Sequence, residues 1–347
     1  MALSKIQNNS YADTAVHGRR NLIINGAMQV AQRGTSFSSV TSTAYHLDRF
    51  QTLLSGLGTW TISQSNTAPT GFSNSLKYEC TTADASPASG DYLVIYHKFE
   101  GQNLQHLKKG TANAESVTLS FWVRSNKTGT YNVNLNDDTN IRLIGGTYSI
   151  SSADTWEYKT ITYSGDTTGA FNSDNNLSLI VEWWLGSGTD WSSGTSPSSW
   201  ESRDNTDRNA SGTVNLADTI GNTFYITGVQ LEVGSQATPF EHRSYGEELA
   251  LCQRYYTQFH NDDAGAANVF LQYNVGSGNS SSVQYSFPTT MRVAPTITYT
   301  LNANNWTFSA FQSGKSFTTL QATAASAGMS QAYASSNTTW LKMDAEL

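Results

Sequence analysis

Glu182 and Trp184 stand two residues apart in the run Leu177-Ser-Leu-Ile-Val-Glu-Trp-Trp184. Side chains two apart on an extended strand share a face, so this carboxylate and this indole project together. An aromatic plate beside a hydrogen-bonding group suits a sugar, which offers an apolar C–H face and many hydroxyls. Trp122 and Arg124 make a similar pair, and Asn132 and Asn134 add amides at the same spacing. The segment between strands adds Trp191, Trp200, Arg203 and Asp204. The candidate glycan contacts are therefore Trp122, Arg124, Glu182, Trp184, Trp191 and Trp200, with the strand residues expected to line one side of a sandwich. Two blander roles compete: packing at the edge of the core for Trp122 and Trp184, and packing between chains for the loop tryptophans.

Catalysis is not expected. Glycoside hydrolysis needs two carboxylates flanking the scissile bond. Glu182 is the most suggestive acid, and Glu157 and Glu232 show similar alternation, but nothing in the sequence sets a second acid opposite it. There is no Gly-x-Ser-x-Gly elbow and no phosphate-binding loop. The six histidines (His17, His46, His97, His106, His242 and His260) form no pair at helical metal-ligand spacing. His97 and His242 read as structural. Asp137-Asp138 and Asp204-Asn-Thr-Asp207 offer oxygen ligands but match no calcium-loop consensus, and turn chemistry explains both. No cofactor and no metal site are expected. Cys80 and Cys252 are too few for a disulfide framework and read as buried thiols.

Composition narrows the partners. The 347 residues carry 20 Lys+Arg against 27 Asp+Glu, a net charge of -7, which disfavours a nucleic-acid partner. No apolar run is long enough for a membrane span, and the start lacks the apolar stretch of a signal peptide. Aromatic residues make up 12% of the chain, enough to build cores, which excludes a disordered tail.

The elements that must position these residues are strands. Large side chains on both faces mark Tyr92–Phe99 as a central strand, and alternation marks Glu115–Ser125, Gly129–Asn136, Thr155–Ser164, Asn176–Trp184 and Thr223–Val233, separated by Gly, Asn, Asp and Ser clusters. No helical pattern lies between them, so the fold class is all-β, an antiparallel β-sandwich. Leu185–Asn215 interrupts it as a long, Trp-bearing loop. One helix is expected over Tyr245–Phe259, where Tyr245, Leu249, Cys252, Tyr256 and Phe259 are spaced 4, 3, 4, 3. That stripe suits core packing or a seam between copies of the chain. Strand patterns then resume at Val269–Tyr273, Ser282–Phe287, Thr296–Leu301, Asn305–Phe311, Ser316–Thr323 and Thr338–Met343. The expected organisation is a polar arm over 1–20, a sandwich over 21–242, a linking helix over 243–260 and a smaller β-module over 261–347.

Two stretches go beyond generic β pattern. One is Asn21-Leu-Ile-Ile-Asn-Gly-Ala-Met-Gln-Val-Ala-Gln-Arg-Gly-Thr35, followed by Tyr45-His-Leu-Asp-Arg-Phe50. The other runs from Gly228-Val-Gln-Leu-Glu-Val through Pro239-Phe-Glu-His-Arg243 to Tyr256. With the opening Met1-Ala-Leu-Ser-Lys-Ile6 and with Phe287-Pro-Thr-Thr-Met-Arg-Val-Ala-Pro295, they resemble tailed-bacteriophage virion proteins, notably tail-fibre and host-recognition proteins. The resemblance implies a jelly-roll sandwich of the carbohydrate-binding-module type, a homotrimer, a location on the virion, a host-surface polysaccharide as partner, and an N-terminal arm that docks on another virion protein. A purely structural virion component, such as a capsid decoration, adaptor or connector, is the alternative. No collagen-like repeat, long heptad run or β-helix rung is present, which favours a compact appendage over a long fibre.

Overall fold

The computed structural model describes residues 19–261, 268–300, 302–304, 306–334 and 338–347. The expected arm over 1–20 lies outside the described residues except for Arg19 and Arg20. The chain divides into two compact units, Met1–Tyr245 and Gly246–Leu347. Among the described residues no helix is long and apolar enough to cross a membrane.

The first unit is an antiparallel jelly-roll-type sandwich. Its strands are β1 (Ser36–Val40), β2 (Ala44–Leu47), β3 (Phe50–Ser55), β4 (Thr59–Ser65), β5 (Ser75–Thr82), β6 (Tyr92–Glu100), β7 (Val117–Ser125), β8 (Gly129–Asp137), β9 (Arg142–Ile150), β10 (Glu157–Tyr163), β11 (Leu177–Ser187), β12 (Glu201–Ser202) and β13 (Thr223–Val233). A single-turn helix, α1 (Thr189–Ser192), lies in the long loop. One sheet has six strands in the order β1-β4-β5-β13-β7-β10, and the other has seven in the order β12-β9-β8-β11-β6-β3-β2. Alternation explains the layering. Phe121 and Val123 of β7, Val181 and Trp183 of β11, and Phe224 and Ile226 of β13 all enter one core between the sheets. Trp183 is fully buried there, with its ring 6.1 Å from Phe121 and 6.4 Å from Phe50. His97 is buried between the rings of Phe50 and Phe99, at 5.0 and 4.9 Å. Burial and the nearby Arg49 and Arg243 hold it well below the usual histidine range, so it stays neutral.

The stretches that carry the phage resemblance meet in space. Asn21 Nδ2 donates to the Val229 carbonyl at 3.0 Å, and its Oδ1 accepts from Leu231 N at 3.1 Å. Leu22 N donates to Leu231 O, and Val229 N to Gly26 O, both at 2.9 Å. Arg243 donates to the carbonyls of Ile23, at 2.9 Å, and Asn21. The opening of the sandwich is thereby tied to its last strand and to the turn beyond it.

The boundary between the units falls at the first residue of α2 (Tyr245–Gln253), which carries Glu247 and Glu248 in its first turn, where the helix dipole favours them. The strands of the second unit are β14 (Tyr256–Asn261), β15 (Asn268–Val275), β16 (Ser280–Ser286), β17 (Thr296–Tyr299), β18 (Asn302–Asn304), β19 (Trp306–Ser313), β20 (Phe317–Ala324), β21 (Gly328–Ala334) and β22 (Thr338–Asp344). They form three-stranded sheets β14-β22-β17, β15-β21-β18 and β16-β20-β19. Phe287, Met291, Leu341 and Met343 form a small core, with Phe259 and Ile297 packed against it.

The helix expected over Tyr245–Phe259, and with it the linking helix over 243–260, is corrected by this arrangement. It ends at Gln253, and Tyr256 and Phe259 belong to β14, paired with Asp344 and Leu341 of β22. Tyr255-Tyr-Thr-Gln-Phe259 is rich in residues that favour strands, and ladder bonds to β22 outcompete another turn of a short helix. The five-residue stripe is therefore not one helical seam.

Gly26 fixes the joint between the N-terminal segment and β13. A Cβ built there would lie 2.1 Å from the Val229 carbonyl oxygen. Gly26→Ala should therefore push the segment off β13 and lower stability by about 1–3 kcal/mol, read as a lower urea midpoint. An unchanged midpoint would mean that this segment does not help to hold the sandwich together.

Candidate functional site

The candidate residues do not line one side of the sandwich. β7 belongs to the six-stranded sheet and β8 and β11 to the seven-stranded sheet, so the chain changes sheets between Arg124 and Asn132. Trp122 and Arg124 point outward from one sheet. Asn132, Asn134, Glu182 and Trp184 point outward from the other. Alternation gave the correct faces within each strand, but it does not say which sheet a strand joins.

On the seven-stranded sheet the outward face is covered by the long loop. Arg208, from that loop, reaches Glu182 with its guanidinium. The Nη2 atom donates to Oε1 at 2.6 Å and Nε to Oε2 at 3.3 Å, and a further bond goes to the Tyr96 hydroxyl. Asn136 Nδ2 donates to Glu182 Oε1 at 2.6 Å and Trp184 Nε1 to Oε2 at 3.2 Å. The guanidinium also sits 5.4 Å from the Trp184 ring and 5.2 Å from that of Trp191. The Arg208 carbonyl accepts from Asn132 Nδ2 and Asn134 Nδ2. Farther along the loop, Pro197 O accepts from Gly145 N at 2.7 Å.

Glu182 and Trp184 are 0% and 2% exposed. The expectation that they present themselves to a glycan is corrected: a buried carboxylate needs a charged partner, and the chain supplies its own in Arg208. Burial pushes the Glu182 carboxyl up, but Arg208, Asn136 and Trp184 outweigh it and hold the group below the usual glutamate value.

The other loop tryptophans also pack within the chain. Trp191 lies 5.8 Å from Trp184 and 5.3 Å from Tyr92, ring to ring, and donates to Gly90 O at 3.2 Å. Trp200 packs against the core and donates to Ser164 O at 2.7 Å. Asp204 caps a short turn by accepting from Thr206 N at 2.9 Å. Of the other acids, Glu157 accepts from Ser151 N and Ser152 N, at 2.8 and 2.9 Å, and Glu232 accepts from Thr238 N at 2.8 Å.

The six-stranded sheet is different. Tyr158 of β10 lies beside Trp122, the rings 5.2 Å apart, in the row Thr227–Trp122–Tyr158 across β13, β7 and β10. Tyr158 is 44% exposed and Trp122 is half-buried. In the next row, Tyr225 lies between Lys77 and Arg124, whose cationic groups sit 5.7 and 5.4 Å from its ring. Trp156 meets Tyr225 edge-on at 6.2 Å. Glu79 pairs with Lys77 at 2.5 Å and Asp154 with Arg124 at 3.1 Å, so the two cations are neutralised.

Beyond Trp122, the rings of Phe72, Phe240 and His242 lie 4.9 to 5.3 Å from one another. Gly228, at φ +60°, separates Phe72 from Trp122, and a Cβ there would lie 2.7 Å from Phe72 and 3.0 Å from Trp122. The absence of a side chain leaves room for both rings to flank the backbone. Thr160 and Thr162 of β10 stand exposed. Alternation marked Thr155–Ser164 as a strand but did not connect its Trp156 and Tyr158 to Trp122. It missed Phe72, Tyr225 and Arg208 entirely.

Among the described residues, no group of three or more His, Cys, Asp and Glu could hold a metal ion. Asp137, weighed as a calcium ligand, has another partner. Lys109 Nζ lies 2.5 Å from Asp137 Oδ2 and 3.0 Å from Asp166 Oδ2, and it donates to the carbonyls of Thr168 at 2.9 Å and Gly169 at 2.7 Å. Arg142 pairs with Asp166 from the other side at 2.6 Å.

No family model matches the chain, and no curated protein matches it. Solved structures with a similar fold include the enzymatically active domain of tailspike protein 4 of bacteriophage CBA120, at 13% identity and TM-score 0.33. That match covers 62% of this chain but only 22% of the tailspike chain. A family 11 carbohydrate-binding module from Clostridium thermocellum, in complex with a mixed-linked tetrasaccharide, is similar at 8% identity and TM-score 0.29, over 60% of this chain and 99% of that one. A xylan-binding domain of family 22 gives 12% and 0.30, over 59% and 98%. These likenesses concern the fold alone.

Glu182→Gln would leave the Arg208 guanidinium buried without its counter-charge. The variant should lose about 3 kcal/mol, measured by urea unfolding. The pH dependence has a definite sign. Because the folded-state pKa is depressed, the contribution is complete above the ordinary glutamate value and disappears as pH falls through the lower, folded value. Acid titration of tryptophan fluorescence should show a transition below about pH 4.5 that Glu182→Gln lacks. The same transition in the variant would assign it to another acid.

Proposed function

We propose that this chain is a phage virion protein, a compact tail fibre or similar short appendage, that recognises host-surface glycan without catalysis through the outer face of its six-stranded sheet. The observation that carries this reading is the open aromatic pair of exposed Tyr158 beside half-buried Trp122, with Tyr225 buried in the next row beneath Lys77 and Arg124. Its rings can stack on pyranose faces, and the exposed threonines and charged side chains beside it can bond hydroxyls. The cations are matched by Glu79 and Asp154, which favours a neutral glycan over a polyanionic one.

The virion assignment rests on the two sequence stretches that resemble phage fibre proteins. Assembly as a homotrimer and docking through the arm over 1–20 rest on the same resemblance. The helical stripe no longer supports a trimer seam, so contacts between copies would have to come from the β-units.

Trp122→Ala and Tyr158→Ala should each weaken binding of host polysaccharide about fivefold, since a stacking contact contributes about 1 kcal/mol. Trp191→Ala should leave binding unchanged. Three copies per particle would amplify the loss on whole cells through avidity. Full binding by folded Trp122→Ala/Tyr158→Ala protein would favour a purely structural virion role. Light scattering should report a mass of three chains, and a stable monomer would remove the trimer from this proposal.

A further inference from the structure

We infer that the sandwich holds a second, separate saccharide site: a pocket for one or two neutral sugar units between the β6–β7 and β10–β11 connections. Only the ligand class rests on the glycan reading above. The pocket itself rests on its own geometry.

A cavity of about 440 Å³ opens there, lined by Leu104, Gln105, Lys108, Thr111, Asn113 and Phe171, with Lys109 and Ala170. That volume lies within the range of small-ligand clefts and is too small for a long chain to lie in. Its base is apolar: Leu104 is fully buried and Phe171 is 8% exposed. Its rim is polar and exposed. An apolar base beneath a ring of donors and acceptors suits a pyranose, with its C–H face down and hydroxyls outward.

The walls are fixed before any ligand arrives. Gln105 Nε2 donates to Phe171 O at 3.4 Å and Asn172 O at 3.2 Å, which leaves its Oε1 free to accept from a ligand. Gly110 N donates to Asp166 O at 2.8 Å. Lys109 bonds the carbonyls of Thr168 and Gly169 and lies 5.2 Å from the Phe171 ring. A cation held against that ring positions it as a floor.

Lys108 adopts φ 51°, a left-handed conformation uncommon outside glycine and costly for a bulky residue. It pairs with Glu115 at 2.6 Å, so the rim carries no net charge and favours a neutral sugar over an acidic one. The Asn113 side chain makes no hydrogen bond among the described residues, so both ends of its amide remain available for a ligand.

The test is ligand-observed saturation-transfer NMR on the full chain with the methyl glycosides of glucose, galactose, mannose and N-acetylglucosamine. At least one should receive saturation from the protein. In the Trp122→Ala/Tyr158→Ala background, which removes the sheet-face platform, the signal should persist, and adding Ala170→Trp, which fills the exposed mouth, should abolish it. Asn113→Ala lies outside the core, guards against misfolding of the Ala170→Trp variant, and should weaken binding in the same background at least fivefold. No transfer to any glycoside in that background would overturn the inference, as would a signal there that survives both pocket variants. Loss of polysaccharide binding in Trp122→Ala bears on the sheet face alone, so the two readings fail separately.

Discussion

A carboxylate with no access to water governs how the first unit presents itself. Glu182 lies in the middle of the seven-stranded sheet, and every acceptor position on it is occupied by Arg208, Asn136 or Trp184. Desolvating that charge without a partner would cost several kcal/mol. The loop that supplies Arg208 therefore cannot leave without exposing or orphaning a charge. One sheet face is closed as a result, and the aromatic face of the other is left to meet the outside.

The strands were the most legible part of the sequence. Period-two alternation located β7, β8, β10, β11 and β13, and large side chains on both faces marked β6 as a central strand. β9 escaped because Gly145-Gly146 breaks its pattern. β21 escaped because Gly328-Met-Ser-Gln-Ala-Tyr-Ala334 offers little apolar contrast. The helix was overextended because 4, 3, 4, 3 spacing also fits a short helix followed by a strand. Partnership between the strands was not legible: sheet assignment depends on long-range pairing, which leaves no local trace.

The site was legible in type more than in place. Tryptophans and charged residues on strand faces marked two outward faces, one on each sheet. Which of them stay open depends on where a roughly 30-residue loop comes to rest. Arg208, one of two arginines in a polar segment, gave no sign that it would bind Glu182. The track on the six-stranded sheet was hidden for a related reason. Phe72, Trp122, Tyr158, Tyr225 and Phe240 come from distant parts of the chain and become neighbours only through the sheet order and the bare backbone at Gly228.

Lys109 has a consequence for the conditions under which the fold survives. Two carboxylates and two carbonyls converge on its ammonium group, a donor set that resembles the oxygen ligands of a hard cation. Here the positive charge is covalently attached to the chain it stabilises. It cannot be lost to a chelator or diluted away in soft water, and it needs no loading step after synthesis. A tethered counter-ion keeps this part of the sandwich independent of the surrounding mineral supply.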